Sequence, residues 1–516
     1  MLIVTDVIQA VNNGGLLIKE EKPMRCSRII AAILALGMTL PAFASAGISA
    51  QDIVGNGDVN DDKVFNISDI VMYQRWLGGK GELKNVDNGD VNGDGSYDVF
   101  DLCQMRKMLI KDAPEQKLSV SRNLCSGIAK SEVKGMAADD KFAAGQRKFA
   151  TELLKAIDDG KNENIFISPY SVMQSLAMTT NGARGETLEQ MEQVLGGVPI
   201  EELNEYLYLF RKKVGSSNKS VIETANSVWV RDDPSLIIPV PEFIQTNLNY
   251  YDADYYLSPF NGNTLKNVNE WVDENTRHYI PEIIDEIDPN EVFFIINAVV
   301  LDAEWANDYM RYQVSNWEFT DVFGTEQTCK FMTCGADYIG DDDTDGFIKD
   351  YKDKNIGYAA LLPHEDIDIH DYIKSLTSEK LDALLAQGEN KCEVALTSMP
   401  KYTLEYENDL KEELKAMGME GAFEETANFT GLTSAPVPTW LHYVKHKTTL
   451  DVNEKGTKAT AAAVTGGLAG SGMPPKEVYL TRPFVYCIYD RETRIPLFIG
   501  ALLTIPEGSV VETANE

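Results

Sequence analysis

Residues 453–465 read NEKGTKATAAAVT and lead into the glycine-rich stretch GGLAGSGMPP at 466–475. At alternate positions the segment presents one face of small residues only: Thr457, Ala459, Ala461, Ala463 and Thr465. A strand with a small inward face can enter between two existing strands without displacing the core beneath them. The segment joins two strand-like patterns, and loops of this length are uncommon unless they are functional or disordered. We therefore predict a loop that can become a strand.

The composition limits the class of protein. The chain has 516 residues, of which 44% are hydrophobic, and a net charge of −33. This length allows two or three domains. The acidic balance, without a basic tract to displace phosphate counterions, argues against nucleic-acid binding. It is typical of a secreted soluble protein or of one that binds cations.

The N-terminus resembles a signal peptide. A basic segment at 24–28 precedes twelve apolar residues, Ile29–Leu40, and an A-x-A cleavage pattern that ends at Ala46. The apolar stretch is too short to span a bilayer comfortably, so no membrane insertion is expected. We predict that translation starts at Met24, that residues 1–23 are an upstream extension, and that the mature protein is secreted.

The cysteines indicate no disulfide scaffold. Those that remain after cleavage are scattered through a large chain: Cys103, Cys125, Cys329, Cys334, Cys392 and Cys487. Cys329 and Cys334 are near enough in sequence to pair, but two free thiols in a strand are an equal possibility. No Cys/His spacing typical of a metal site is present.

A repeat with a period of 32 residues begins at Asp58 and again at Asp90. Each copy places side-chain oxygens at loop positions one, three, five, nine and twelve, and an amphipathic helix follows. A hard cation such as Ca²⁺ takes six to eight oxygen ligands, which this spacing can supply. The predicted ligands are Asp58, Asn60, Asp62, Asn66 and Asp69, then Asp90, Asn92, Asp94, Asp98 and Asp101.

Residues 53–113 resemble a type I dockerin, with aspartate at position twelve and a helix only after each loop. The resemblance implies two calcium ions and a cohesin partner on a scaffoldin, within a cell-surface cellulosome that degrades polysaccharides. The implied cohesin contacts are Ile67, Ser68, Val99 and Phe100. Lys63 stands where the second copy has Gly95 at the sharp turn, and a left-handed conformation costs a non-glycine residue about 1–2 kcal/mol. The first site is therefore expected to be weaker.

Residues 114–140 lack clear periodicity and are predicted to be a linker. From Lys141 the pattern becomes mixed α+β. Strands are predicted at 221–231, 292–301, 356–363, 392–399, 402–407 and 478–503, and helices at 141–157, 240–250, 264–277 and 408–417.

Over residues 141–507 the chain resembles a serpin, in nine segments that occur in family order. They include NIFISPYSVMQSLAM, VKHKTTLDVNEKGTKATAAA and PLFIGALL. The resemblance implies the α+β serpin fold, with a large central β-sheet, surrounding helices and an exposed reactive loop, preceded by a small all-α dockerin domain. Residues 508–516 are left as a tail. The combination is similar to cellulosome-associated bacterial serpins.

The resemblance also implies roles for individual residues. The hinge residues are Glu454, Gly456, Thr457, Ala459, Ala461 and Ala463, with Gly456–Thr457 as the proximal turn. Residues where the central sheet must open are Ser168, Asn297 and His446, with Trp305 at its upper end. Counting from the hinge places the scissile bond at Gly470–Ser471. Counting back from the next strand shifts it by two residues, which leaves Ala469, Gly472 and Met473 as alternatives.

The implied activity is suicide inhibition of a serine protease, not catalysis. Every candidate residue before the scissile bond is small or apolar, which favours an elastase-like or subtilisin-like target. Lys458 replaces the family's usual acidic residue, but it lies on the face opposite the small one. The first alternative is a non-inhibitory serpin that acts as a binding or structural component of the complex. The second is a glycosidase, for which no carboxylate pair stands out.

Overall fold

The computed structural model describes residues 55–112, 121–215, 220–288, 290–389, 393–457 and 476–511. The chain divides into two compact units, one up to Lys117 and one from Leu118 onward. Within the described ranges no helix has the length and apolar character needed to cross a bilayer. The predicted signal peptide and the candidate scissile bond at Gly470–Ser471 lie outside these ranges, as does Cys392.

The first unit consists of two loops, each followed by a helix, as predicted from the repeat. The helices are α1 (Ile67–Leu77) and α2 (Val99–Asp112). Asn66 caps α1, and its side chain and that of Asp69 form a reciprocal capping box. The small core of this unit consists of Val59, Ile70, Tyr73, Val91, Leu102 and Met105.

The second unit contains a seven-stranded central sheet. Its strands in spatial order are β1 (Arg122–Asn123), β4 (Asp254–Ser258), β3 (Ser220–Arg231), β5 (Phe293–Glu304), β13 (Gly456–Thr457), β12 (Lys445–Asn453) and β11 (Tyr402–Asp409). The short β13 runs antiparallel to both of its neighbours, so β5 and β12 run parallel to each other.

A second sheet has nine strands. Its path is β14 (Lys476–Tyr479), β10 (Val394–Pro400), β7 (Glu326–Gly340), β8 (Thr344–Asp350), β9 (Ile356–Pro363), β15 (Phe484–Asp490), β16 (Pro496–Leu502) and β2 (Ile165–Ile167), with β6 (Val314–Thr320) beside β7. Strands β9, β15 and β16 are buried along their whole length. Their nearly continuous apolar sequences fit strands that are covered on both faces.

Helices pack around both sheets. In chain order they are α3 (Asp140–Ile157), α4 (Pro169–Thr180), α5 (Gly185–Val194), α6 (Ile200–Val214), α7 (Pro241–Tyr251), α8 (Gly262–Asn275), α9 (Ile369–Ser375), α10 (Ser378–Gln387) and α11 (Lys411–Ala416). Ser168 caps α4, and Pro169 occupies its first position, where a missing backbone N–H costs nothing. Helix α4 lies against β5 and β16, which places its first turn beneath the central sheet.

The predicted linker at 114–140 is partly wrong. Arg122 and Asn123 pair with Leu257 and Tyr256 at the edge of the central sheet. The Ser121 hydroxyl is 2.7 Å from that of Ser258. The prediction failed because this pairing depends on a distant strand and leaves no periodic pattern in so short a segment.

Candidate functional site: the hinge and the gap in the central sheet

The start of the predicted hinge already occupies the central sheet. Thr457 pairs with Val452 on β12 and with Ala303 on β5, and Gly456 pairs with Asn453 and Glu304. The chain reverses at residues 454–455. The proximal turn predicted at Gly456–Thr457 is therefore wrong by two residues, because those residues form β13 instead of a turn.

Close packing explains the residue types in β13. A Cβ atom added at Gly456 would lie 2.0 Å from the carbonyl oxygen of Ala303, so only glycine fits. Thr457 is 2% exposed, and its hydroxyl lies 2.6 Å from the hydroxyl of Tyr351. The side chain of Thr457 thus faces the interior, on the small face of the segment.

Trp305 anchors the hairpin formed by β12 and β13 at the upper end of the gap between β5 and β12. Its indole N–H donates to the carbonyl oxygen of Asn453 at 2.9 Å, and its backbone N–H donates to that of Lys455 at 2.8 Å. Its ring stacks on Tyr351 with the centroids 4.6 Å apart. The backbone N–H of Tyr309 donates to the carbonyl oxygen of Glu454. Backbone hydrogen bonds and the ring of Trp305 therefore stabilise the turn at residues 454–455.

An ion pair holds the same turn from the side. The ammonium of Lys401 is 2.7 Å from the Glu454 carboxylate. Burial acts to raise the pKa of Glu454, but the hydrogen bond and charge of Lys401 outweigh it and hold this pKa below its ordinary value. Both side chains remain partly exposed, so the pair contributes little stability.

Helix α4 connects both sides of the gap at a lower level, at Asn297 on β5 and His446 on β12. Each of these residues lies seven positions before the one that pairs with Gly456. The backbone N–H of Ser168 donates to Nε2 of His446 on β12 at 3.0 Å. The hydroxyl of Ser171 donates to the side-chain oxygen of Asn297 on β5, and the amide of Asn297 donates in turn to Asn226. The first turn of α4 is thus hydrogen-bonded to both strands.

His446 must be neutral to accept this hydrogen bond. It is 4% exposed, and desolvation lowers its pKa to about 4. A neutral polar cluster costs less to bury than a charged one.

In both loops of the first unit, aspartate side chains accept hydrogen bonds from backbone N–H groups of the same loop. In the first, the Asp58 carboxylate accepts from the backbone N–H groups of Asp62 and Lys63, and that of Asp69 accepts from Asn60 and Asn66. The second loop repeats the pattern. The Asp90 carboxylate accepts from the backbone N–H groups of Gly93 and Gly95. The Asp101 carboxylate accepts from the backbone N–H groups of Val91, Asn92 and Asp98. Both loops therefore turn their oxygens inward.

The donor set fits calcium. Asp58, Asp69, Asp90 and Asp101 are each at most 8% exposed. Within the described ranges no three acidic, histidine or cysteine side chains converge on one point. A calcium coordination shell would therefore also need asparagine side-chain oxygens and backbone carbonyl oxygens, which calcium-binding loops commonly provide. Lys63 has φ of 72° and Gly95 of 77°, so the lysine does adopt the left-handed conformation that the register predicts.

The predicted cohesin contacts lie at the start of each helix. Val99 and Phe100 are 38% and 69% exposed, and Ser68 is also exposed. Ile67 is the first residue of α1. Two adjacent apolar side chains are thus available for contact at the start of α2.

Comparison with known proteins identifies the larger unit. The family model described as Serpin (serine protease inhibitor) matches residues 144–505, which is more than half of the chain. The chain is a serpin. The model for the dockerin type I domain matches residues 56–110, so this serpin carries a type I dockerin domain.

Three similar proteins support the assignment. The thermophilic serpin tengpin in its native state is 38% identical, with a TM-score of 0.70, and the match covers 75% of this chain and all of tengpin. An uncharacterized serpin-like protein of Thermococcus kodakarensis is 29% identical over 377 residues, 70% of this chain and 85% of that protein. Leukocyte elastase inhibitor of Bos taurus is 28% identical over 388 residues, 70% of this chain and 99% of that protein.

The structure brings together most of the predicted serpin residues that it describes. Glu454, Gly456 and Thr457 lie around Trp305, and Ser168 contacts His446 directly. Asn297 does not contact Ser168 or His446 directly; the hydroxyl of Ser171 on α4 links it to them. The predicted hinge residues Ala459, Ala461 and Ala463 and the alternative scissile-bond residues Ala469, Gly472 and Met473 lie outside the described ranges.

Sequence reasoning missed several partners of these residues. They are Ser171, Asn226, Tyr309, Tyr351 and Lys401. Only Ser171 had a usable signal, because it lies one helical turn after Ser168. The others come from strands and loops that are distant in sequence.

Proposed function

We propose that this serpin is a secreted inhibitor that traps serine proteases by inserting its reactive loop into the central sheet. The position of β13 carries the proposal. Two hinge residues already lie between β5 and β12, and the next inward positions in the sequence, Ala459, Ala461 and Ala463, are all small. Continued entry would lengthen β13 without displacing the core.

The proposed mechanism is a competition between two fates of an acyl-enzyme. The protease serine attacks the carbonyl carbon of the scissile bond, the amine leaves, and an ester joins the loop to the protease. The freed loop then extends β13 between β5 and β12. Each backbone hydrogen bond gained contributes about 1 kcal/mol net, so a strand of about a dozen residues provides a large driving force. The attached protease is carried along and distorted before water can release it.

The contacts of α4 set the order of events in this mechanism. The strand can extend past Asn297 and His446 only after their hydrogen bonds to α4 rearrange. The intact serpin is thus held kinetically in a state that is less stable than the inserted one. This barrier would oppose insertion until the loop is cut.

The proposed targets are elastase-like or subtilisin-like proteases. The residues before the candidate bond, including Leu468, Ala469 and Gly470, suit a small or apolar specificity pocket. None offers a cation to an acidic pocket. The similarity to a protein named leukocyte elastase inhibitor agrees with this choice.

We also propose that the dockerin domain binds a cohesin in a calcium-dependent way and docks the inhibitor on an extracellular cellulosome. Two calcium ions would be held by the two loops described above, where they would neutralise the buried aspartates and fix the helix starts. Val99 and Phe100 would then provide apolar contacts, with Ile67 and Ser68 at the equivalent positions of the first copy. Inhibition at this place would protect the complex from proteolysis.

The inhibitory mechanism can be tested with subtilisin and pancreatic elastase. Incubation should give a covalent complex that survives denaturing electrophoresis, together with a released C-terminal peptide whose mass locates the scissile bond. Cleavage without a complex, for every serine protease tried, would favour the non-inhibitory alternative. Docking is tested separately by cohesin binding with and without a calcium chelator.

A further inference from the structure

A buried lysine and a cysteine meet beneath the upper end of the central sheet. The Lys349 ammonium, on β8, lies 3.6 Å from the sulfur of Cys334 on β7 and donates to the carbonyl oxygen of Asn307 at 3.1 Å. Lys349 is 7% exposed. Its nitrogen stands 5.4 Å from the ring centre of Trp305 and 4.3 Å from that of Tyr309.

This environment makes the amine chemically unusual. The two hydrogen-bond acceptors of Lys349 are a carbonyl oxygen and a sulfur, and neither has a fixed negative charge. Burial lowers the pKa of Lys349, although the nearby Cys334 and the charges of Asp308 and Asp350 oppose the shift. A lysine in such a site has a larger neutral, nucleophilic fraction than one in water. The buried hydroxyl of Tyr309 also lies beside Cys334.

Cys334 differs from the other described cysteines of the serpin domain. Cys125, Cys329 and Cys487 are buried, and burial raises their pKa, to about 12 for Cys329. Cys334 is only half-buried, which leaves it more accessible than these three. Its sulfur also accepts a hydrogen bond from the Lys349 nitrogen. Peroxides react with cysteine sulfur in its thiolate form.

We propose that Cys334 is a peroxide-reactive thiol and that Lys349 captures its oxidised form. A hydroperoxide oxidises the thiol by two electrons: an S–O bond forms as the O–O bond breaks, and water or an alcohol leaves. The sulfenic acid can then condense with an amine. The Lys349 nitrogen attacks the sulfur, an S–N bond forms, and the hydroxyl leaves as water with a proton from the amine. The sulfenamide links β7 to β8 until a thiol reduces it.

Trypsin digestion can detect this link because trypsin cuts after Lys330 and Lys349. Reduced full-length protein should give peptide 331–349. After brief treatment with hydrogen peroxide, the blocked Lys349 should instead give peptide 331–352, with two hydrogens fewer than its sequence requires. Dithiothreitol should restore the cut after Lys349. The buried Cys329 serves as an internal control that should stay reduced.

The variant Lys349→Arg keeps a cation and the trypsin site but lacks the amine. It should give peptide 331–349 with Cys334 oxidised to a sulfenic or sulfinic acid. The proposal would be overturned if wild-type Cys334 stayed reduced as long as Cys329 does, or if it oxidised while trypsin still cut after Lys349. The wild-type digest decides the question even if the variant does not fold. The readout does not depend on protease inhibition.

Discussion

At the upper end of the gap between β5 and β12, two hinge residues already occupy the space, whereas further down α4 is hydrogen-bonded to both strands. The upper contacts are steric and partly ionic: Gly456 fits against Ala303, and Glu454 pairs with Lys401. The lower contacts are buried and neutral, with His446 as the titratable member. In the proposed mechanism, loop insertion therefore has a prepared entry at the upper end and a barrier at the lower end.

The strongest test of the upper end is Thr457→Arg. The side chain is 2% exposed, and burying an unpaired guanidinium there costs several kcal/mol. We expect inhibition to be lost and the serpin to become an ordinary substrate, measured as the ratio of covalent complex to cleaved inhibitor. Thr449→Arg, at an exposed position of β12, is the matched control and should inhibit normally. Equal inhibition by both variants would contradict insertion at Thr457.

Gly456→Ala tests whether entry has already begun. The new Cβ would meet the backbone of Ala303, which cannot move aside, so β13 should leave the sheet at a cost of about 1–3 kcal/mol. Tryptophan fluorescence should change, because Trp305 loses its bonds to the hairpin; Trp305→Phe in the same background should abolish that change. Gly508→Ala, where an added Cβ meets nothing within 4 Å, controls for the substitution. An unchanged spectrum in Gly456→Ala would argue against the inserted hinge.

Lowering the pH should weaken the contact between α4 and β12 at the lower end of the gap, because it involves His446. His446 has a pKa of about 4 in the folded protein, below its ordinary value near 6.5. Its contribution to the free energy of unfolding is therefore complete above pH 6.5 and is lost as the pH falls toward 4. At about 1.4 kcal/mol per pKa unit, this amounts to roughly 3 kcal/mol. We expect His446→Gln to remove this part of the pH dependence of thermal stability. His278→Gln, at an exposed histidine, should leave it intact. An identical pH dependence in wild type and His446→Gln would count against this account of the barrier.

The ion pair at the upper end should matter least. Lys401 and Glu454 are partly exposed, so their coupling in a double-mutant cycle with Lys401→Met and Glu454→Gln should be at most about 1 kcal/mol and should decrease with salt. A coupling of several kcal/mol that salt does not change would show that charge, rather than close packing at Gly456, controls the hinge.

The sequence predicted those elements whose patterns are local. Strands such as β3, β5 and β9 and helices such as α3 and α7 lie within a few residues of their predicted positions. No bounds were predicted for β6, β7 and β8, although a strand around Cys329 and Cys334 was left open. In β7 the alternation is irregular around Cys334 and Gly335. Residues 364–368 form a loop that leads into α9, where His370 contacts Asp158 and Asn162, both distant in sequence.

The same distinction applies to the site. The small inward face at Thr457 could be predicted because it is a property of one segment. The occupancy of β13 could not, because it depends on how closely Gly456 approaches the backbone of β5. The role of α4 as a link between β5 and β12 likewise requires the packing of three distant segments.

In the proposed mechanism, the cleaved loop becomes a strand between β5 and β12. Cutting the loop with a protease that is not inhibited, and then heating the intact and cleaved proteins side by side, tests it most directly. If about a dozen residues add to the sheet, the cleaved form should unfold at a temperature higher by about 20 °C or more. A cleaved form that unfolds at or below the temperature of the intact protein would contradict the account.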